Sequence, residues 1–255
     1  MKGVILAGGN GTRLRPLTLA TNKHLLPVYD KPVIYYAIEK MVDAGVDRIM
    51  IVTSPEYNGA FIKLLQSGTG FISKKTGHQI QIVYGVQNEP NGIAYGLCIA
   101  KEYVGDDDCL FYLGDNIIED DISKYVKNFK GGATVFLKEV DNPSHFGIAT
   151  VKNGKVTHID EKPAYPKSNL AVIGLYIFDN TVFKKMDHQK PSARGEYEIT
   201  WVNNQYIKEN KLKAIELKKQ WFDIGSFESL LEASNYMRNK TKNKHHDKNK
   251  KDSKK

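Results

Sequence analysis

Over the first half of the chain, short β-branched runs alternate with segments of helical spacing. Residues 4–6 form an apolar run directly before a glycine cluster. Ile34, Ile38, Met41 and Val42 then recur on one helical face that stops at Gly45, as a helix with a glycine terminator does. Residues 48–53 predict the next strand, and Phe61, Leu64 and Leu65 another helix. A strand over 79–84 follows, then Ile93, Leu97, Ala100 and Val104 at helical steps, then an apolar strand over 109–113. Strands separated by helices imply a mostly parallel sheet covered on both faces.

Beyond about residue 130 the rhythm changes. Strands are predicted over 133–137, 147–151 and 156–159, with no long helix between the last two. Asn153-Gly154 marks a hairpin, because both central residues of a type I′ turn need positive φ. A strand over 171–178, a helix over 197–207, a strand over 213–217 and a last helix over 227–238 complete the pattern. The expectation is a single α/β domain, Rossmann-like, with a mixed, mostly parallel central sheet flanked by helices. A nucleotide-binding half is placed at about 1–130 and a mixed half at 131–237. Residues 239–255 lack apolar positions and are expected to be disordered.

Charge narrows the choice of partner. The 255 residues carry a formal net charge of +8, but from Arg238 to Lys255 eight Lys and one Arg face only two Asp. That end holds nearly all of the excess and the body is close to neutral. A nucleic-acid partner is therefore not expected, and the basic end reads as a solubilising appendage. No stretch is apolar enough to span a bilayer. Two cysteines, Cys98 and Cys109, with no paired spacing, fit a reducing cytoplasm.

The strongest chemical signal is the segment after the first strand, Leu6-Ala7-Gly8-Gly9-Asn10-Gly11-Thr12-Arg13-Leu14-Arg15-Pro16. Glycines at positions 8, 9 and 11 let backbone N–H groups approach an anion closely. It is neither a dinucleotide fingerprint, since Leu14 stands where the third glycine belongs, nor a G-x-x-x-x-G-K-[ST] loop. Arg13 and Arg15 beside it are permanent charges with a geometry suited to polyphosphate.

This loop, followed by Lys23-x-Leu25-Leu26-Pro27, resembles the signature of the sugar-1-phosphate nucleotidylyltransferases. The segments Leu113-Gly114-Asp115-Asn116, Glu161-Lys162-Pro163, Gly174-Leu175-Tyr176, Arg194-Gly195-Glu196 and Trp221-Phe222-Asp223-x-Gly225 extend the resemblance over about residues 1–237. They point to the thymidylyltransferase branch and its nucleotide-diphospho-sugar transferase type of fold. The resemblance implies nucleotidyl transfer from dTTP or UTP to a sugar 1-phosphate, glucose 1-phosphate above all, with release of pyrophosphate. It also implies a homotetramer or homodimer.

Roles follow from the matched positions. Arg13, Lys23, Asp115 and Lys162 are the expected catalytic group. Leu6, Ala7, Gly8, Gly9, Gly11, Thr12, Arg13, Lys23 and Asp115 are expected around the nucleotide, with Gln87 and Gly92 facing the base. A glutamine amide offers the donor and acceptor that a pyrimidine imide edge requires. Asn116, Gly147, Glu161, Lys162, Gly174, Tyr176 and Arg194 are expected to hold the sugar phosphate. Asp115 and Asp223 are the expected ligands of Mg²⁺, a hard cation that takes carboxylate oxygens.

Phe146, Leu170, Ile173 and Trp201 depart from the family pattern, three of them by replacing a polar group near the expected sugar site. A glycosyltransferase using a finished nucleotide sugar is the competing enzyme reading. It would use a D-x-D metal motif after a strand, and Asp106-Asp107-Asp108 has the spacing but precedes one. A catalytically silent sugar-nucleotide sensor is the other alternative, and it would be expected to have lost Arg13, Lys23 or the aspartates.

Overall fold

A computed structural model describes residues 1–252. Thirteen strands occur in the order β1 (Lys2–Leu6), β2 (Pro27–Val28), β3 (Lys31–Pro32), β4 (Arg48–Thr53), β5 (Gln81–Val86), β6 (Cys109–Leu113), β7 (Asn116–Ile118), β8 (Ala133–Glu139), β9 (Gly147–Lys152), β10 (Lys155–Glu161), β11 (Leu170–Phe178), β12 (Leu212–Glu216) and β13 (Trp221–Asp223). Nine of them form one sheet in the order β10-β9-β11-β6-β1-β4-β5, with β8 also paired to β11 and β12 to β8.

The mixed sheet divides by halves. β6, β1, β4 and β5 are all parallel, joined through helices such as Val33–Asp43, whereas β11 runs antiparallel to β6, β8 and β9. Successive residues of the parallel strands enter different cores. Ile5 and Leu110 pack on one face with Ile38 and Phe61, while Val4 and Phe111 pack on the other with Leu97 and Tyr176. Burial on both faces explains why these strands read as unbroken apolar runs.

Chain order places the site. From β1 the chain moves outward to β4 and β5, then returns to the other side of β1 to form β6. The carboxyl ends of β1 and β6 flank this reversal, where open α/β sheets bind ligands. Leu6 lies opposite Leu113, and Gly114 N–H donates to Leu6 O at 2.9 Å. The glycine loop and Asp115 therefore emerge side by side.

Most predicted elements recur. Gly45 takes φ 83° after its helix, and Asn153 and Gly154 take φ 49° and 72° in the β9–β10 hairpin. Pairing with β4 places β5 two residues later than periodicity predicts. The helix expected over 93–104 is two, Ile93–Cys98 and Lys101–Val104, divided where Ala100 N–H reaches Leu97 O.

The last helix is a correction. It runs Phe227–Asp252, so the disorder expected from residue 239 does not apply up to 252, and residues 253–255 lie outside the described ones. The stretch offers little to bury, but it contains no Gly or Pro and lysine is a good helix former. The helix is also anchored where the body ends, by an ion pair between Lys240 and Glu119.

Candidate active site

The glycine loop is held open by its neighbours. Ala7 N–H donates to Val52 O at 2.7 Å, Asn22 Nδ2 donates to Ala7 O at 3.2 Å, and Thr18 Oγ1 donates to Gly11 O at 2.8 Å. Ala7, expected to contact the nucleotide through its backbone, has therefore already spent both its N–H and its carbonyl on the scaffold. The N–H groups of Gly8, Gly9, Asn10 and Gly11 have no acceptor among the described residues. Four successive free donors make a concavity for an anion. Gly11 has φ 57° and leads into a short 3₁₀ turn, Thr12–Leu14, that carries the exposed Arg13.

Gln87 lies directly behind this loop. Side chains added at Gly8 and Gly96 would come within 3.2 and 3.1 Å of its Oε1. Gly92 has a structural reason to be glycine: its φ is 105°, and a Cβ there would sit 2.7 Å from the backbone of Tyr197.

Lys23 forms an ion pair with Asp115, whose other oxygen accepts from Asn116 Nδ2 at 2.9 Å. Burial opposes ionisation of Asp115, but the Lys23 ammonium outweighs it and holds the carboxyl below the usual range. Asp223 goes the other way: burial first, and the Asp115 charge second, raise it. Ile224 N–H donates to Asp115 O at 2.9 Å, and β13 pairs with β7 so that Asp223 lies opposite Asn116. Arg13 reaches the same point, its guanidinium so close to Gly225 that a Cβ there would meet Nη2 at 2.6 Å.

These residues suit a divalent cation. The Asp223 carboxylate accepts no hydrogen bond among the described residues and lies in the field of a second buried carboxylate. No group of three or more metal-ligating side chains occurs among the described residues. Two carboxylates that leave further positions to phosphate oxygens and water are the donor set Mg²⁺ prefers.

From Asp115 a cleft of about 310 Å³ opens toward β9, β10 and β11. Of the expected sugar-phosphate residues, Gly147, Glu161, Lys162, Gly174, Tyr176 and Arg194 all line it. Gly147 lies opposite Glu161 in the β9–β10 pair, and Lys162 takes φ 42°, held by its N–H to Phe146 O at 3.0 Å. A non-glycine residue in this region stores strain that surrounding structure must hold, a pattern concentrated at functional sites. The Glu161 carboxylate accepts from Thr200 Oγ1 and lies 3.4 Å from Arg194 Nη2; burial raises it, against those two partners.

Asn116 lines the cleft, and both ends of its amide are already engaged with neighbours. Its oxygen accepts from Gly174 N–H at 3.2 Å and Trp221 Nε1 at 2.7 Å while its nitrogen serves Asp115. It braces three walls of the cleft, with the second hydrogen of its amide nitrogen left to donate. Gly174 is required there, since a Cβ would meet Leu113 at 2.7 Å and Asn116 Nδ2 at 2.8 Å.

Sequence reasoning missed several lining residues. His24 is buried beside Lys23, its Nδ1 2.6 Å from Asn22 Oδ1; burial, then the Lys23 charge, push it down to about 3, so it stays neutral. Thr200 and Glu198 sit at the start of the helix Ile199–Lys208. Trp221 meets Phe146 edge to face at 5.5 Å. Of the four departures from the family pattern, Phe146 and Ile173 line the cleft, whereas Leu170 and Trp201 do not. The Asp106–Asp108 run lies elsewhere: Asp107 pairs with Lys2 at 3.2 Å and with the N-terminal ammonium at 3.6 Å.

Known proteins resemble this chain over nearly its whole length. The family described as nucleotidyl transferase matches residues 2–240. The chain is 41% identical to the glucose-1-phosphate thymidylyltransferase of Mycolicibacterium smegmatis and 42% identical to that of Neisseria meningitidis, over 93% of the chain and 82% of each relative. A crystal structure of a Bacillus anthracis protein assigned as a glucose-1-phosphate thymidylyltransferase superposes with a TM-score of 0.85 at 44% identity, covering 93% of this chain and 95% of the other. A UDP-glucose pyrophosphorylase bound to UDP-glucose gives 0.79 at 26% identity, covering 94% and 98%.

Proposed function

Because the chain belongs to the nucleotidyl transferase family, we propose that its cleft joins the thymidylyl group of dTTP to glucose 1-phosphate, giving dTDP-glucose and pyrophosphate. The observation that carries this reading is the meeting of the Lys23–Asp115 pair, Asp223 and Arg13 between an open nest of N–H groups and the part of the same cleft that Lys162 and Arg194 line. One side takes a triphosphate and the other a phosphate monoester.

The chemistry is an in-line displacement. A phosphate oxygen of the sugar 1-phosphate attacks the α-phosphorus of dTTP, and the bond to the pyrophosphate oxygen breaks. The monoester is already largely ionised near neutrality, so positioning and charge neutralisation are the main tasks. Gly8, Gly9 and Gly11 receive the phosphates on their N–H groups, Arg13 and Lys23 neutralise them, and Gln87 beside Gly8 reads the thymine edge. Leu6, Thr12 and Gly92 shape the nucleotide side. Lys162 and Arg194 hold the sugar phosphate, and Glu161 accepts from sugar hydroxyls. Asp115 and Asp223 would hold Mg²⁺, which when bound supplies further positive charge against the phosphate oxygens.

We assign residues 1–237 to one nucleotidylyltransferase domain, with the nucleotide half to about 130. Family membership is the basis for proposing a homo-oligomer, tetramer or dimer, in the cytoplasm. Pyrophosphate release from a matrix of dTTP and UTP against several sugar 1-phosphates tests the function. Turnover is expected to be highest with dTTP and glucose 1-phosphate, and to be lost in Arg13→Ala and Asp115→Asn. Release of no pyrophosphate by the wild-type chain would overturn the reading.

A further inference from the structure

We propose that Glu198 is a positioning residue that holds Arg194 with the Nη1 group of its guanidinium free for the sugar phosphate. The inference rests on the reading of Arg194 as a sugar-phosphate ligand given above.

Glu198 is 8% exposed and immediately precedes the helix Ile199–Lys208. Its backbone is fixed, because its carbonyl accepts from Gln189 Nε2 at 2.8 Å and from Trp201 N–H at 3.2 Å. Its Oε1 accepts from Arg194 Nη2 at 2.8 Å, Arg194 Nε at 3.2 Å and Ser192 Oγ at 2.8 Å. Ser192 Oγ in turn accepts from Arg194 N–H at 3.2 Å, and Gly195 N–H closes the turn on Ser192 O at 2.9 Å. Both the backbone and the side chain of Arg194 are thus indexed to one buried carboxylate.

The consequence lies in which donors remain. The Nε–Nη2 edge is spent on Glu198, while Nη1 has no acceptor among the described residues. Holding the planar guanidinium by its Nε and Nη2 fixes the direction in which Nη1 donates, and a charge-assisted hydrogen bond to phosphate depends on that direction. Without Glu198 the long side chain would be drawn to Glu161 and Glu196, each already 3.4 Å from Nη2. Two residues further, Thr200 donates to Glu161. A single helix start therefore sets both the cation for the phosphate and the carboxylate for the hydroxyls.

The test uses the full chain with Glu198→Ala, Arg194→Ala and the double variant. Glucose 1-phosphate binding is read by titration calorimetry, and KM is measured for both substrates. Glu198→Ala is expected to weaken glucose 1-phosphate about tenfold, the order seen when the orienting partner of a ligand is removed. KM for dTTP should stay within about twofold, and the double variant should bind no worse than Arg194→Ala. Glu198→Gln keeps the shape and should recover part of the affinity; it also serves if Glu198→Ala does not fold. Unchanged sugar affinity in both Glu198 variants, losses that multiply in the double variant, or an equal rise in KM for dTTP would each overturn the proposal. Binding losses as expected in a chain that releases no pyrophosphate would sink nucleotidyl transfer and leave the positioning role standing. Transfer with independent losses would do the reverse.

Discussion

Trp221 donates its indole N–H to the side-chain oxygen of Asn116 at 2.7 Å, across 105 positions of sequence. The same oxygen accepts from Gly174 N–H, and the amide nitrogen donates to Asp115. One side chain therefore ties the strand bearing Asp223, the bulge in β11 and the first carboxylate together. Asn116→Ala would leave the buried Gly174 N–H and Trp221 Nε1 without acceptors, at about 1–3 kcal/mol each. The expected outcome is a lower Tm together with a loss of activity, while Asn116→Asp restores the acceptor but sets a second negative charge beside Asp115. Thermal melts and pyrophosphate release on both variants check this.

Metal binding should depend on pH through Asp223. Burial and the Asp115 charge raise its carboxyl to about 6 in the metal-free protein. Below that pH it is protonated and must lose the proton to bind Mg²⁺, so the apparent affinity should fall about tenfold per unit as pH drops further. Calorimetric titration in buffers of different ionisation enthalpy should show close to one proton released per ion at acid pH and almost none near pH 8.

Two glycines of the cleft should respond differently to alanine. At Gly225 the nearest atom to a new methyl is Arg13 Nη2 at 2.6 Å, the far end of a flexible side chain. Gly225→Ala should fold normally and raise KM for dTTP by moving Arg13. At Gly174 the methyl would meet Leu113 Cβ at 2.7 Å and Asn116 Nδ2 at 2.8 Å, in strands that cannot give way. Gly174→Ala should cost about 1–3 kcal/mol of stability, the usual penalty of overpacking. Melts and dTTP kinetics run on both variants separate the two cases.

Much of this was legible in the chain, and the remainder has identifiable reasons. The glycine loop and Asp115 stand at strand ends, the alternation of strands and helices tells which ends they are, and Lys23 is marked by the motif that follows the loop. Glu198 and Thr200 carry no such mark, and the bracing contacts of Asn116 were equally hidden, because these roles depend on partners that only the folded sheet brings near. The two-strand β7–β13 sheet is three residues on each side, too short for periodicity to reveal. Yet its alternation sends Trp221 and Asp223 to the cleft and Phe222 into a third core, against Tyr236 of the last helix at 5.3 Å. The length of that helix has another cause: a stretch with little to bury still continues a helix when it lacks Gly and Pro and is rich in lysine.

Outside the cleft, Asp179 should control acid stability. Its Oδ1 accepts from Tyr206 OH at 2.8 Å and Thr181 N–H at 3.2 Å, and its Oδ2 from Gly132 N–H at 2.6 Å. Burial pushes its carboxyl up, but the hydrogen bonds from Thr181, Gly132 and Tyr206 outweigh that and lower it below the usual range. A carboxylate depressed on folding contributes stability above its unfolded value, near 3.9, and loses it as pH falls through the folded one. Asp179→Asn keeps one acceptor but loses the charge, so its Tm should lie below wild type at pH 7. The difference should shrink as pH drops below about 4 and vanish once the wild-type carboxyl is protonated. Melts of both proteins between about pH 2 and 7 measure it; a gap that stays constant across that range would show that Asp179 acts through shape and not through its charge.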